Sequence, residues 1–365
     1  MKYSISSLPH DLLNEPICFF FPSKIIGGHE LMAIELIKQL YEKGKSISVA
    51  YLSQNEELKE RVSKNGIDID FMVINLKQPR FEFLHALFNF YYCNQVDKSM
   101  LKMDSFASGN IVVVQGDIEL GAAYINSAKK NNIDLYSYIP YAHSAKKMNK
   151  ALAFFRDLYY PVLYKKVKNY ITISEQFKKE LISLNSNSNV YIVENNVRCL
   201  DDIKNKRQEC CDKSDMKYEI AIVGRISLKQ KGHDKLILAL AQLPTEISDK
   251  IRLHIVGDGK DLKLLKNLVS KNCANLSVVY HGWCKEPWEK IYHVDLIVIP
   301  SRFEGVPLVM LESIELRIDV LASNIDGMID YLDSEKLFDS IEDLGEKIKK
   351  RIVEHKDKMN FSASE

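Results

Sequence analysis

One pattern constrains this chain more than any other. Short apolar runs alternate with segments of helical period, and they do so in two separate series. A strand buried on both faces reads as a continuous apolar run, and the crossover back to a parallel neighbour needs a helix, so the alternation signals parallel α/β layers. The first series opens with PICFFF, ends at Pro22-Ser23 and passes through Gly27-Gly28. A helical stretch is predicted over 29–43, with Leu31, Ile34, Leu36, Ile37 and Leu40 on one side and Gly44 closing it. Further strands are predicted over 46–52, 68–74, 110–116, 134–139, 169–174 and 189–194.

Between Arg198 and Lys217 the chain turns polar and charged, a composition that suits an exposed linker. A second series then starts afresh, with strands predicted over 218–224, 252–257, 276–282, 294–300 and 318–323. With 365 residues, the chain fits about two domains of roughly 150–200 residues each. We therefore expect one α/β domain over 1–198, a linker over 199–217, a second α/β domain over 218–335, and a helix and tail over 336–365. Two such halves imply a cleft lined by the carboxyl ends of their strands, where open α/β sheets place ligands.

Charge and cysteine content exclude other classes. Fifty basic residues against forty-nine acidic ones leave a net charge of +1, so no global field recruits nucleic acid. The seven cysteines are odd in number and form no CxxC, which argues against a zinc ribbon or disulfide framework and for a reducing compartment. The polar N-terminus is interrupted by Pro9 and Pro16 and is no signal peptide. The apolar run 17–21 falls far short of the ~20 residues that span a bilayer. A cytoplasmic protein is expected, able to touch a membrane surface at its inner face but not to cross it.

The densest chemical signal is SRFEGVPLVMLESIE, 301–315. A strand ends at Pro300, a loop holds Gly305, and Pro307 stands where a first helical residue is predicted and its missing N–H costs nothing. The amides from Gly305 to Val309 make a positive helix end suited to a diphosphate. Glu304 lies just ahead of that end. Glu312, eight residues on, reaches another part of an extended ligand, at about 1.5 Å of rise per residue. A plain amphipathic helix with two surface glutamates would read the same way. A second segment, 220–240, places Gly224-Arg225 directly after a strand and Lys231-Gly232 directly before a helix. Both cations fall in one strand-to-helix loop, where they can neutralise a diphosphate and support it as a leaving group. Lys229, in the same loop, reads as solvated.

The spacing GR–five residues–KG, then IVGDG, then EGVPLVMLE with its two acids eight apart, resembles the retaining glycosyltransferases of family 4, the group 1 glycosyltransferases. The likeness is strong over 218–325 and looser over 17–196, where IIGGHELMAIELIKQLYEKG resembles the first loop and helix and ITISEQFKKEL…VYIVENNV the end of the first domain. It implies the α/β GT-B fold, two Rossmann-like domains facing across a central cleft. It also implies that Arg225 and Lys231, with Gly224, bind a donor diphosphate. Glu304 would hold hydroxyls of the transferred sugar beside the backbone of Gly305, Val306, Pro307 and Leu308, and Glu312 would bind the ribose. Gly27 and Gly28 would form the loop over phosphate and sugar. His281, Gly282 and Trp283 stand where the family places the base, though burial is a tryptophan's commoner fate, and His143 matches an active-site histidine, with a packed loop histidine as its bland alternative.

The chain also departs from that family. Asn324-Ile325-Asp326-Gly327 replaces a Gly-Gly pair, and Asn195-Asn196 replaces an Asn-Gly whose left-handed backbone Asn also tolerates. After Lys336 there is room for little more than one helix to pack back on the first domain. GGHE is not GxGxxG, so a nicotinamide enzyme is not expected. Nothing resembles an Asp-x-Asp metal motif, so no cofactor or metal is expected beyond the nucleoside diphosphate sugar as donor substrate.

Residues 145–170 carry seven Lys/Arg against the single acid Asp157, interleaved with aromatics. That composition fits an interfacial helix drawn to anionic lipid, and equally a core helix with a solvated basic face interrupted by Pro161. The expected activity is retaining transfer from a nucleoside diphosphate sugar, UDP favoured, to a hydroxyl of a saccharide acceptor. The acceptor would be lipid-linked or a polysaccharide of lipopolysaccharide, O-antigen or capsule synthesis. A sugar-nucleotide-binding subunit without turnover, or a same-fold phosphorylase or epimerase, is the alternative.

Overall fold

The structure is a computed structural model that describes residues 4–64, 66–197, 199–209 and 217–362, with side chains to 355. Cys210, Cys211 and the remainder of the expected linker at 210–216 lie outside the described residues. The chain divides into two compact units, Met1–Asn196 and Val197–Glu365.

In unit 1 the apolar runs become β1 (Ile17–Phe21), β2 (Ile47–Leu52), β3 (Asp70–Ile74), β4 (Asn110–Val114), β5 (Leu135–Tyr138), β6 (Asn169–Thr172) and β7 (Asn189–Ile192). They form one sheet in the order β3-β2-β1-β4-β5-β6-β7, with every pair parallel. Central β1 is buried along its whole length, whereas edge strand β3 exposes Asp70 and Val73, the expected contrast between a covered strand and a rim. The helix Gly28–Glu42 buries Ala33, Ile34, Leu36, Ile37 and Leu40, the larger of them worth about 1.5–3 kcal/mol each relative to exposure. Leu31, expected on that face, is exposed. Gly44 closes the helix with a positive φ of 71°, and its N–H donates to the Tyr41 carbonyl.

Unit 2 repeats the plan with β8 (Tyr218–Val223), β9 (Ile251–Val256), β10 (Ser277–Gly282), β11 (Leu296–Ile299), β12 (Asp319–Ser323) and β13 (Leu337–Phe338). Its order is β10-β9-β8-β11-β12-β13, again parallel. Both sheets reverse direction of growth beside their first strand, between β1 and β4 and between β8 and β11. In doubly wound sheets that reversal opens a crevice at the carboxyl ends, so the loops after these four strands are where a ligand site belongs.

Two features of unit 2 refine the sequence pattern. Asp201–Glu209, within the stretch expected as linker, is a helix. It docks on unit 2 through Arg207, which donates to the carbonyls of Tyr292 at 2.7 Å and Val294 at 2.9 Å, and through ion pairs Lys204–Glu315 and Lys206–Glu289. The C-terminal helix Ile341–Ser362 places Leu344, Ile348 and Ile352 in the core of unit 2.

Candidate active site

The loop leaving β8 is shaped by close backbone approaches that leave no room for a side chain at Gly232 within it or at Gly257 after β9. Gly224 has φ +141° and its carbonyl lies 2.0 Å from where a Cβ on Gly257 would stand. A Cβ on Gly232, φ +64°, would come 2.0 Å from the Pro300 carbonyl. That approach presses the end of the β8 loop onto the end of β11. As a result Lys231 Nζ reaches Glu304 Oε2 at 2.6 Å, although the two are 73 positions apart. Both side chains are only partly buried, at 22% and 14% exposure, so the pair stays within reach of a ligand. Arg225 extends into solvent and donates to Gln230 Oε1 at 2.8 Å. Arg302 does a structural job beneath: it forks onto Asp234 at 2.8 and 2.7 Å and tightens the same junction.

Glu304 is held on three sides. Lys231 and the Ser301 hydroxyl, at 3.2 Å, donate to its carboxylate, and its own amide donates to Asp326 Oδ2 at 2.8 Å. Asp326 sits at φ +53°. Left-handed backbone explains how Asp stands where a glycine pair was looked for, since Asp tolerates that region better than most residues. The helix Leu308–Glu315 follows, with Pro307 at its cap position, one residue earlier than the sequence implied. Its first turn bonds run from the Met310 and Leu311 amides to the Pro307 carbonyl, so the Leu308 and Val309 amides precede them at the positive end. Gly305, Val306 and Pro307 are buried in the turn. One helix length away, Glu312 Oε2 accepts from the indole of buried Trp288 at 2.7 Å. Ser301, Gln230 and Trp288 were not singled out from sequence. The Gly-Gly replacement pointed to Asp326, but nothing in the pattern marked the other three.

At the end of β10 the expected base-side residues part company. Trp283 is 70% exposed, free to stack on a planar group. Gly282 takes φ +68° and its carbonyl accepts from the Gly257 amide at 2.7 Å. His281 turns to the sheet, sharing a 2.9 Å hydrogen bond between its Nε2 and His254 Nδ1. Burial, with His254 and Lys290 nearby, pulls the His281 pKa below the usual imidazole value.

In unit 1, Gly27 caps the helix Gly28–Glu42, its amide donating to Glu30 Oε2 at 2.7 Å. A Cβ on Gly28 would meet nothing within 4 Å, so the backbone there faces open space. His143 follows β5 but is buried, stacked on Tyr141 with centroids 4.8 Å apart and edge-on to Phe177 at 5.7 Å. A buried polar group at the end of β4 was not anticipated. Lys150 pairs with Asp117 at 2.8 Å and Glu119 at 3.3 Å, and Arg156 reaches Glu119 at 3.3 Å while lying over the Phe83 ring.

These pairs change the reading of 145–170. Lys150 and Arg156 serve the interior, Lys166 donates to Asn126 and Lys168 pairs with Asp134. What the helix Ala153–Tyr164 shows to solvent is apolar: Phe154, Phe155 and Leu158 are 71%, 59% and 62% exposed. The helix runs through Pro161 to Tyr164 without a break.

Comparison with known proteins agrees with the fold. Over 94% of its length the chain superposes on 92% of the Anabaena HepE chain, solved in complex with UDP-glucose, with a TM-score of 0.69 at 17% identity. The fold is thus the α/β GT-B fold. Residues 204–363, the part of the chain that carries Arg225, Lys231, Glu304 and Glu312, match the glycosyl transferases group 1 family. Among curated proteins, similarity runs to the lipopolysaccharide 1,6-galactosyltransferases of Salmonella typhimurium, 31% identical over 28% of this chain, and of Escherichia coli, 24% identical over 55%. The matched stretches span 29% and 57% of those two relatives. An Escherichia coli O-antigen biosynthesis glycosyltransferase, WclY, is 33% identical over 29% of this chain and 28% of its own.

Proposed function

We propose that the protein is a retaining glycosyltransferase that moves a sugar from a nucleoside diphosphate sugar, UDP favoured, to a hydroxyl of a saccharide acceptor in lipopolysaccharide, O-antigen or capsule synthesis. The observation that carries the reading is the Lys231–Glu304 pair at 2.6 Å, set where the sheet order reverses and beside the amino end of the helix Leu308–Glu315. Its chemistry is a division of charge. In the free protein Lys231 neutralises Glu304. A bound diphosphate draws Lys231 and Arg225 to its oxygens, and the Glu304 carboxylate is released to accept hydrogen bonds from sugar hydroxyls. As the bond to the sugar breaks, charge grows on the departing phosphate, where two cations and the helix amides stabilise it. Attack on the same face, with the leaving phosphate taking the acceptor proton, accounts for retention without a protein nucleophile.

No helix among the described residues is long and apolar enough to cross a membrane. The exposed stripe Phe154, Phe155 and Leu158, flanked by Lys146, Lys147 and Lys165, supports contact with the inner face of the cell membrane and a lipid-linked acceptor. The test is thermal stabilisation by UDP, GDP, ADP and their sugar conjugates, with and without Mg²⁺. At 100 times its Kd a ligand adds about 2.7 kcal/mol. UDP is expected to raise the melting temperature regardless of Mg²⁺, and Glu312→Ala to abolish the rise. Glu304→Gln is expected to keep nucleotide binding and lose transfer. Failure of every nucleotide to stabilise the protein would overturn the reading.

A further inference from the structure

Unit 2 holds a second polar cluster, on the sheet face away from its main core. Alternation along β8 and β9 sends Ile220, Leu253 and Ile255 into the apolar core and Glu219, Arg252 and His254 to the other side. There Glu219 and His254 are buried, and His254 Nε2 lies 2.6 Å from Glu219 Oε2. The segment entering β11 brings in His293, whose ring stands edge-on to His254 with centroids 5.4 Å apart. One ligand atom each from Glu219, His254 and His293 lies within 4.8 Å of the other two.

From this geometry we infer that Glu219, His254 and His293 form a binding site for a borderline divalent transition ion, zinc being the reference case. Two imidazoles and one carboxylate suit such an ion, whereas Mg²⁺ and Ca²⁺ ask for all-oxygen shells. The outer partners are in place. His281 Nε2 engages His254 Nδ1 at 2.9 Å, which directs His254 Nε2 at the site, and Arg252 takes the far oxygen of Glu219 at 3.0 Å, which directs Oε2. Asp295, through its Oδ2, accepts from the Glu219 amide at 2.8 Å and adds a second negative charge to the surroundings. Ligands at about 2.0–2.2 Å from a tetrahedral ion stand about 3.4 Å apart. Glu219 and His254 must therefore open by about 0.8 Å to reach that spacing, and a fourth position remains for water. The site is built into the fold of unit 2, and its test is independent of glycosyl transfer.

The experiment uses the full chain, stripped with chelator, dialysed against Zn²⁺ and assayed for bound metal, with affinity measured by competition against a chromophoric chelator. One zinc per chain is expected, with no comparable binding of Mg²⁺. His293→Gln and His254→Gln should each lower affinity by at least about 100-fold, while the outer variant His281→Asn lowers it by about 10–100-fold. His293 is partly exposed, so its variant remains informative if replacement of buried His254 disturbs the fold. Failure to retain zinc, or an unchanged affinity in His293→Gln, would overturn the site and leave Glu219–His254 as a buried hydrogen-bonded pair.

Discussion

Glu82 shows how a single buried carboxyl sets a pH dependence. It begins the helix Glu82–Phe88 in unit 1 and is buried. Burial above all, opposed by the Gly121 amide and aided by the charges of Glu119 and Asp117, pushes its pKa from 4.5 to about 8. The folded protein therefore keeps a proton on Glu82 that the unfolded chain gives up near 4.5. Stability must fall as pH rises from 4.5 to about 8 and level off above. Glu82→Gln keeps the acceptor and removes the titration, so the variant is expected to gain on the wild type across that window. The gain is about 1.4 kcal/mol for each pH unit crossed and a few kcal/mol in all. Urea midpoints at pH 5 and pH 8.5 decide it. An equal difference between variant and wild type at both values would refute the assignment.

Glycines sort by what surrounds them, and two of them give opposite expectations. Gly257, at φ +139°, has the Gly224 carbonyl 2.0 Å from where its Cβ would stand. Alanine there clashes with rigid backbone and strains its own, so Gly257→Ala is expected to cost more than about 3 kcal/mol and to disorder the β8 loop that carries Arg225. Gly28 opens its helix at ordinary angles with nothing within 4 Å of a Cβ. Gly28→Ala should leave stability within about 0.5 kcal/mol, and on the proposed reading of Gly28 as part of a donor loop the added methyl should weaken nucleotide binding. Equal melting temperatures for Gly257→Ala and wild type would show that the loop can shift.

At the scale of whole elements, legibility followed burial. The long strands could be read because burial on both faces demands continuous apolar runs, as in β1 and β4. Two-residue β13 could not, because so short a run carries no period. The helix Asp201–Glu209 was hidden because only Ile203 is buried and the rest is held by ion pairs and carbonyls far along the chain. In the site, Glu304, Lys231 and Arg225 were legible through position after a strand. Of their partners, the replaced glycine pair marked Asp326, while Gln230 and Ser301 were not legible, since which side chain meets which depends on how two loops pack.

Across the chain, both tryptophans, Trp283 and Trp288, fall in unit 2, so their fluorescence reports that unit. It also contains His233, fully buried at the start of the helix His233–Ala241, with neither ring nitrogen hydrogen-bonded among the described residues. Burial first, then the charge of Lys231, lowers its pKa from 6.5 to about 4. The sign is opposite to that of Glu82: the unfolded chain takes up a proton that folded His233 refuses. Unit 2 therefore loses stability as pH falls from 6.5 to about 4, by about 3 kcal/mol in all. His233→Leu replaces an unpaired polar ring by an apolar side chain at little cost. Tryptophan-monitored unfolding should show the variant drawing ahead of the wild type as pH drops through that window, and by a constant margin above it. A margin that does not change with pH would mean that His233 finds a proton-accepting partner in solution. The acid sensitivity of unit 2 would then lie in its paired carboxylates, Glu219 and Asp234, whose folded pKa values lie below the ordinary range despite burial because His254 and Arg302 hydrogen-bond them.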